Sequence, residues 1–371
     1  MEGLVFSRSK NYTLGVELEF QIVDRKTLNL VPRAQSILAT MPADSSRIAL
    51  EFLQSIIEIQ TGICGSVTDV AHDLSRSIHL VEDVAYDQKS ILYAASLHPF
   101  AEPFEQRLSP GDRYERIMRE LQYVGRQFIS QGLHVHVGIG DGDRAVKVCD
   151  IIQAYLPILL ALSSSSPYFR GVDTGFSSYR TKLFEALPLA GIFGHIGDWK
   201  GYRKEVFFLR KRKIIQQVKD LWWDVRPSPG YGTVEIRICD MPARFSETLG
   251  ITAVIQALVA YIAEKKFSSS RVSLQLLRSN KWQAARHGLD GRFNDGLGIL
   301  SKQTQTLRNA AAELFLILEP LTKRFQTQKY IDPLRNLLDR GTGAEFQRLL
   351  VSQGKSHQEM IHCLRNDYWL W

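Results

Sequence analysis

Apolar and polar residues alternate along some stretches of this chain and recur every three or four residues along others, which predicts a mixture of strands and helices. The clearest alternating stretch is TLGVELEFQIVD, where Val16, Leu18, Phe20, Ile22 and Val23 predict a mostly buried strand. Its Glu17 and Glu19 share the other face, roughly 6–7 Å apart, and buried like charges need compensating cations or donors. Taken alone, that pair favours an edge strand with a wet face, so it needs partners elsewhere in the chain. IALEFLQSIIEIQTG follows within the first 65 residues, and residues 66–88 place Val70, Leu74, Ile78, Val81 and Ala85 at helical spacing. ILYAASLHPF predicts a strand ending in a turn at Pro99. A helix is expected over about 112–131, GLHVHVGIGDGD predicts a strand with a glycine turn, and a helix is expected over 144–162.

Residues 167–200, rich in Gly, Ser, Pro and aromatics, suit a functional loop region. Residues 200–224 are basic and helical in pattern, RPSPGYGTVEIRICDMP supplies a turn and another strand, and Ile251, Val254, Ile255, Leu258, Val259 and Ile262 form an apolar helical stripe. Residues 271–371 read as mostly helical, with no linker or repeat to mark a second domain. The strand faces alternate instead of running continuously apolar, so the fold class is α+β, with an antiparallel sheet showing one polar face.

Composition adds limits. The 371 residues are 44% hydrophobic and 23% charged, as in a soluble globular protein, and the net charge of +7 favours anionic partners, ATP and nucleic acid alike. Cys64, Cys149, Cys239 and Cys363 form no CxxC, so reduced thiols in a cytoplasm are the simpler account. MEGLVFSRSKNYT lacks the pattern of a signal peptide. The uncharged run 151–169 is broken by Pro157 and four serines, so it reads as a buried helix and serine loop and not as a membrane span.

Two more strands repeat the oddity of the first: LHVHVG puts His134 and His136 on one face, and TVEIRI does the same with Glu235 and Arg237. Three such pairs point to a sheet whose polar face lines a cavity holding cations. Glu51 and Glu58 add carboxylates. They share a helix face if their stretch is helical, and Glu58 can also reach the cavity from a following strand. Carboxylates with a few imidazoles suit Mg²⁺ or Mn²⁺, two or three ions, as in phosphoryl-transfer sites.

GVELEF, the Glu51/Glu58 stretch, GLHVHVGI, SSPYFRGVDTGFSSYR, WDVRPSPGYGTVEIRICD and KWQAARHGLDG together resemble the glutamate–cysteine ligase type 2 family of carboxylate–amine ligases, over residues 13–291. The ordered ExE, HxH and ExR pairs also resemble the catalytic sheet of glutamine synthetase. The resemblance implies one catalytic domain over 1–371, with a helical part from about 292. It also implies a curved antiparallel sheet of the glutamine synthetase and guanido kinase type, helices packed on its outer face. It implies ATP, small-molecule substrates such as glutamate and cysteine, no nucleic acid or membrane partner, and a homodimer as an allowed assembly.

The roles it implies are specific. Glu17, His134 and Glu235 would hold the metal bridging the nucleotide phosphates, and Glu19 and Glu58, with Glu51, the metal nearer the acceptor carboxylate. His136 would contact the phosphates. Arg237, with Arg180 and Arg226 as further candidates, would meet the transferring phosphoryl group or a substrate carboxylate. SLHPFA lacks the glycine the family carries before its His-Pro, which leaves His98 as a candidate for the substrate pocket. An acyl phosphate displaced by an amine needs no protein nucleophile, consistent with the lack of a Ser-His-Asp or Cys-His set.

Other signals are weaker. GIGDGDR is not GxGxxG, and its Asp143 is expected to cap the next helix. LRKRKIIQQVK reads as a solvated helix face or phosphate-binding rim, and Trp222 and Trp223 as core. Two rival classes remain: a two-metal hydrolase that ignores ATP, and a basic nucleic-acid-binding protein.

Overall fold

A computed structural model of the chain describes residues 3–42, 45–267 and 271–370. Positions 1, 2 and 371 of the expected single domain, and so the first two residues of the N-terminal segment weighed against a signal peptide, lie outside them. In chain order come β1 (Leu14–Asp24), α1 (Ala34–Thr40), β2 (Ile48–Leu50), β3 (Ile56–Gln60), α2 (Val67–Asp87) and β4 (Ser90–Tyr93). Then follow α3 (Asp112–Arg126), β5 (Leu133–Gly138), α4 (Gly142–Ile152), α5 (Leu156–Ser163), the small hairpin β6 (Tyr168–Phe169) and β7 (Val172–Asp173), and α6 (Arg180–Glu185). The rest is α7 (Trp199–Lys211), β8 (Val225–Ser228), β9 (Thr233–Ile236), α8 (Phe245–Glu264), α9 (Leu274–His287), a hairpin Arg292–Asn294 with Thr304–Thr306, and five helices between Leu307 and Asp367.

Seven strands form one antiparallel sheet in the order β2-β3-β1-β5-β9-β8, with β4 paired to the far end of β1. Strand alternation sorts its two faces. Leu14, Val16, Leu18, Phe20 and Ile22 of β1, Leu133, Val135 and Val137 of β5, and Val234 and Ile236 of β9 all enter the main hydrophobic core. That face is covered by α2, α4 and α8, which is the expected arrangement of helices on one side. The glutamates and histidines point from the other face.

The helix over 66–88 forms as its spacing predicts, with the Ser66 hydroxyl accepting from Asp69 N. IALEFLQSIIEIQTG, open to helix or strand, forms two strands, because β2 and β3 pair with each other and β3 with β1, so Glu58 reaches the cavity from a strand. Three expectations change. RPSPGYGTVEIRICDMP holds two strands, a hairpin pairing Arg226 with Glu235. The helix expected over 144–162 is α4 and α5, bent by 66°. Pro157, at the start of α5, has no N–H to donate backwards, and its ring would meet the carbonyl one turn earlier. Finally, Asp141 and not Asp143 caps α4, accepting from Arg144 N at 2.8 Å. Asp143 instead accepts from Trp199 N at 2.9 Å, tying α4 to α7.

The stripe on α8 is part of a helix buried nearly all round, between the sheet and the helices that follow it in sequence. It is long and apolar enough to cross a membrane, and nearly all of it lies inside the molecule. Gly250 permits its close approach to the helix Gln328–Arg340, where any side chain would strike the Tyr330 carbonyl.

Candidate active site

Strand register sets the polar face. Glu58 of β3 lies opposite Glu19 of β1, Glu17 opposite His134 of β5, His136 opposite Glu235 of β9, and Glu235 opposite Arg226 of β8. Directly paired residues point to the same side, so one row of ionisable groups crosses five strands. A cavity of about 600 Å³ opens over it, lined by every nominated residue but His98: Glu17, Glu19, Glu51, Glu58, His134, His136, Arg180, Arg226, Glu235 and Arg237.

On the β9–β8 side the charges are paired within the protein. Glu235 accepts two bonds from Arg226, Nε to Oε2 at 2.8 Å and Nη2 to Oε1 at 3.0 Å, and a third from Arg237 Nη1 at 2.6 Å. Burial opposes ionisation of Glu235, but the two guanidiniums win and hold it well below the usual carboxylate range. Arg226 also donates to the Leu221 carbonyl at 2.8 Å. His136 Nδ1 lies 2.8 Å from the Thr233 hydroxyl.

On the β1–β3 side they are not. Glu19 accepts from Gly132 N at 2.7 Å and Glu51 from Phe52 N at 2.8 Å. Glu58 accepts from Gln60 Nε2. Burial, then the charge of Glu51, pushes Glu19 up to about 8. Burial and the charges of Glu51, Glu17 and Glu19 drive Glu58 well above its usual value, and burial raises Glu51. Between the two halves, Glu17 Oε2 is 3.3 Å from His134 Nδ1 and Oε1 is 3.5 Å from His136 Nε2. These contacts outweigh burial and keep Glu17 ionised far below the usual range. Burial, reinforced by Arg237, lowers His134 to about 4, so the ring is a neutral donor atom at physiological pH.

Two sets of ligand atoms converge: Glu17, Glu58 and His134, and Glu19, Glu51 and Glu58, each within 4.8 Å of one another. Carboxylate-rich sets of this kind fit hard divalent cations. Glu58 belongs to both sets. Glu235 belongs to neither, because its oxygens face Arg226 and Arg237.

Arg180 is brought to the cavity by a buried network. Its backbone N–H is 3.2 Å from the Ser166 hydroxyl, and its guanidinium lies 3.9 Å from Asp240 and packs on the Phe184 ring. Asp240 accepts from Ser165 N at 3.0 Å and from the Ser166 and Ser178 hydroxyls at 2.7 and 2.8 Å. The serine loop is fastened in turn by Gln347 Nε2 to the Ser165 carbonyl at 2.7 Å and by Ala344 N to the Ser164 carbonyl at 3.0 Å. Gly132 leaves room for the Arg180 guanidinium, which a Cβ there would strike.

His98 stands apart from the cavity, buried with Nε2 2.8 Å from the Leu28 carbonyl and Nδ1 accepting from Ala101 N. It braces the turn after β4 and is no pocket residue. Trp223 is core, but Trp222 lines the cavity. The basic run around 209–219 is partly helical, and Lys219 reaches the cavity rim. Sequence reading missed Arg113 and Tyr231, which also line it. Thr233, the partner of His136, was missed as well, although the period-two face it shares with Glu235 and Arg237 could have found it.

The sequence matches the model of glutamate-cysteine ligase family 2 over residues 13–366. A relative from Gloeobacter violaceus named "Putative glutamate--cysteine ligase 2" is 36% identical over 359 residues, covering 95% of each chain. The fold is similar to the crystal structure of a glutamate–cysteine ligase from Francisella tularensis in complex with AMP, at a TM-score of 0.71 and 14% identity, covering 97% of this chain and 89% of that one. It is also similar to that of a bifunctional glutathione synthetase from Pasteurella multocida, at a TM-score of 0.71 and 14% identity, covering 96% of this chain and 52% of that one. At such identity these structures speak for the fold, while the family match and the sequence relative speak for descent. The chain therefore belongs to glutamate-cysteine ligase family 2 and is a carbon–nitrogen ligase.

Proposed function

We propose that the chain is an ATP-dependent ligase that joins the γ-carboxylate of glutamate to an amine, releasing ADP and phosphate. The observation that carries this reading is the polar sheet face, where two carboxylate-rich ligand sets stand beside arginines in one cavity. Glu17, Glu58 and His134 would hold one divalent cation, Mg²⁺ or Mn²⁺, and Glu19, Glu51 and Glu58 a second. When bound, such cations neutralise charge on the phosphates of ATP.

In the reaction the glutamate carboxylate oxygen attacks the γ-phosphorus, the bond to the β-phosphate oxygen breaks, and ADP leaves. The amine nitrogen then attacks the acyl carbon, phosphate departs with the C–O electrons, and the nitrogen gives up a proton. Arg237, which lines the cavity with its Nη1 fixed by Glu235, would meet the phosphoryl oxygens. Arg226 holds Glu235 and so orients Arg237. Arg180 also lines the cavity and suits a substrate carboxylate. His136 suits the phosphate side. The four thiols are free, which fits a cytoplasmic enzyme.

Hydroxylamine tests this directly, because it traps an acyl phosphate as a hydroxamate whatever amine the enzyme prefers. Glutamate, ATP and Mg²⁺ should give hydroxamate and ADP together, and Glu17→Gln and Glu235→Gln should each suppress both. Wild-type rates in both variants would sink the residue assignment. Hydrolysis without nucleotide would point to a two-metal hydrolase, and salt-sensitive nucleic-acid binding that survives Glu17→Ala to the other rival class.

A further inference from the structure

The wall facing the ionic sheet is apolar. Ile117 and Leu121 come from α3, Phe128 from the segment after it, Phe184 and Leu187 from α6 and its loop, and Trp222 from the approach to β8. Ile117, Leu121, Phe128 and Trp222 belong to one contiguous cluster with Phe52, and the rings of Phe128 and Phe184 are 5.3 Å apart. The Arg180 guanidinium lies 5.3 Å from the centre of the Phe184 ring, so a cation and an apolar surface stand side by side. Arg116 and Asp220, 3.2 Å apart, tie α3 to the segment that carries Trp222 towards β8. Leu121, Phe128, Phe184 and Trp222 are only half-buried and turn their remaining surface to the cavity.

From this wall we infer that the amine substrate is an amino acid with an apolar side chain of leucine or phenylalanine size, not cysteine. The inference rests on the proposed ligase reaction. The Arg180 guanidinium takes the α-carboxylate, the side chain lies on Phe184, Phe128 and Leu121, and the amine points at the reacting carboxyl over the sheet. A side chain ending in a single sulfur removes less of the surface of the four half-buried residues, Leu121, Phe128, Phe184 and Trp222, from water than a branched or aromatic one does. Hydrophobic pockets separate substrates by about 10- to 200-fold per methylene. The wall does not suit the nucleobase as well. Trp222 precedes β8 and Tyr231 follows it, so the two ends of that strand face different parts of the cavity, and Tyr231 is the aromatic beside His136, at 5.6 Å.

The test compares glycine, alanine, cysteine, leucine and phenylalanine as amines with glutamate and ATP, reading kcat/KM from ADP release, with hydroxamate formation measured in parallel. Leucine or phenylalanine should exceed cysteine and alanine by at least about tenfold. The variant Leu121→Gln, on a half-exposed helix position, should shrink that ratio severalfold through KM for the amine. Hydroxamate formation with cysteine as the best amine would overturn this inference alone. So would a Leu121→Gln variant that leaves the ratio unchanged, or one that raises KM for ATP in place of the amine. Absence of hydroxamate would overturn the ligase reaction and this inference with it.

Discussion

The two halves of the polar sheet face carry the same residue type in opposite electrostatic states. Glu235, between Arg226 and Arg237, is held strongly ionised by cations that the chain itself supplies. Glu19, Glu51 and Glu58, two or more strands away, have backbone and amide donors but, among the described residues, no guanidinium or ammonium in contact, and burial raises all three. Ionised carboxylates persist in a buried sheet only where positive charge is near. One half of the face is completed by arginine; the other is completed by whatever cation it binds.

Four measurements would break or sharpen that contrast. The largest effect belongs to Glu235→Ala, which leaves two buried guanidiniums without their carboxylate and should cost about 3–5 kcal/mol in urea unfolding. Glu58→Gln should act in the opposite direction, raising the Tm of EDTA-treated protein while cutting kcat at least about a hundredfold, since cation stabilisation of the transferring group amounts to several kcal/mol. If both variants destabilise alike, the two halves do not differ as described. Adding Mg²⁺ at a hundred times its Kd should raise stability by about 2.7 kcal/mol in the wild type and far less in Glu58→Gln, as read by thermal melts.

The smallest effect is that of pH. Glu19 titrates at about 8 in the folded chain and near 4.3 when unfolded. Its folded value is raised, so ionisation penalises the native state, and stability should increase as pH falls from about 8.5 to about 6.5 in metal-free protein. Below about 6.5 the sign reverses for His134, whose folded value of about 4 means that the unfolded chain takes the proton first. Mg²⁺ should flatten the upper limb. A metal-free stability that climbs steadily with pH across roughly 6.5–8.5 would contradict the uncompensated half.

The polar face was legible because it depends on one local rule, the alternation of side chains along a strand. That rule placed Glu17 with Glu19, His134 with His136, and Glu235 with Arg237 before any fold was known. Which residue faces which across strands was not legible, since register is a long-range property: only the structure pairs Glu58 with both ligand sets and turns Glu235 towards the arginines. Glu51 directly follows a short strand, β2, in a stretch whose sequence left helix and strand both open. The apolar wall was hidden for the same reason, because Phe128 and Phe184 are far apart in the chain and meet only through tertiary packing. Arg113 lies in a helix of mixed charge where nothing in its spacing separates it from a surface arginine.

The fastening of the serine loop has a practical consequence for anyone trimming the gene. A chain stopped after Arg340 would still encode every residue nominated for the site, and an alignment of motifs would score it as intact. It would lack Ala344 and Gln347, which grip Ser164 and Ser165 and, through Asp240, steady the guanidinium of Arg180. Such a fragment would be complete in its inventory of reactive groups and deprived of the brace that aims one of them.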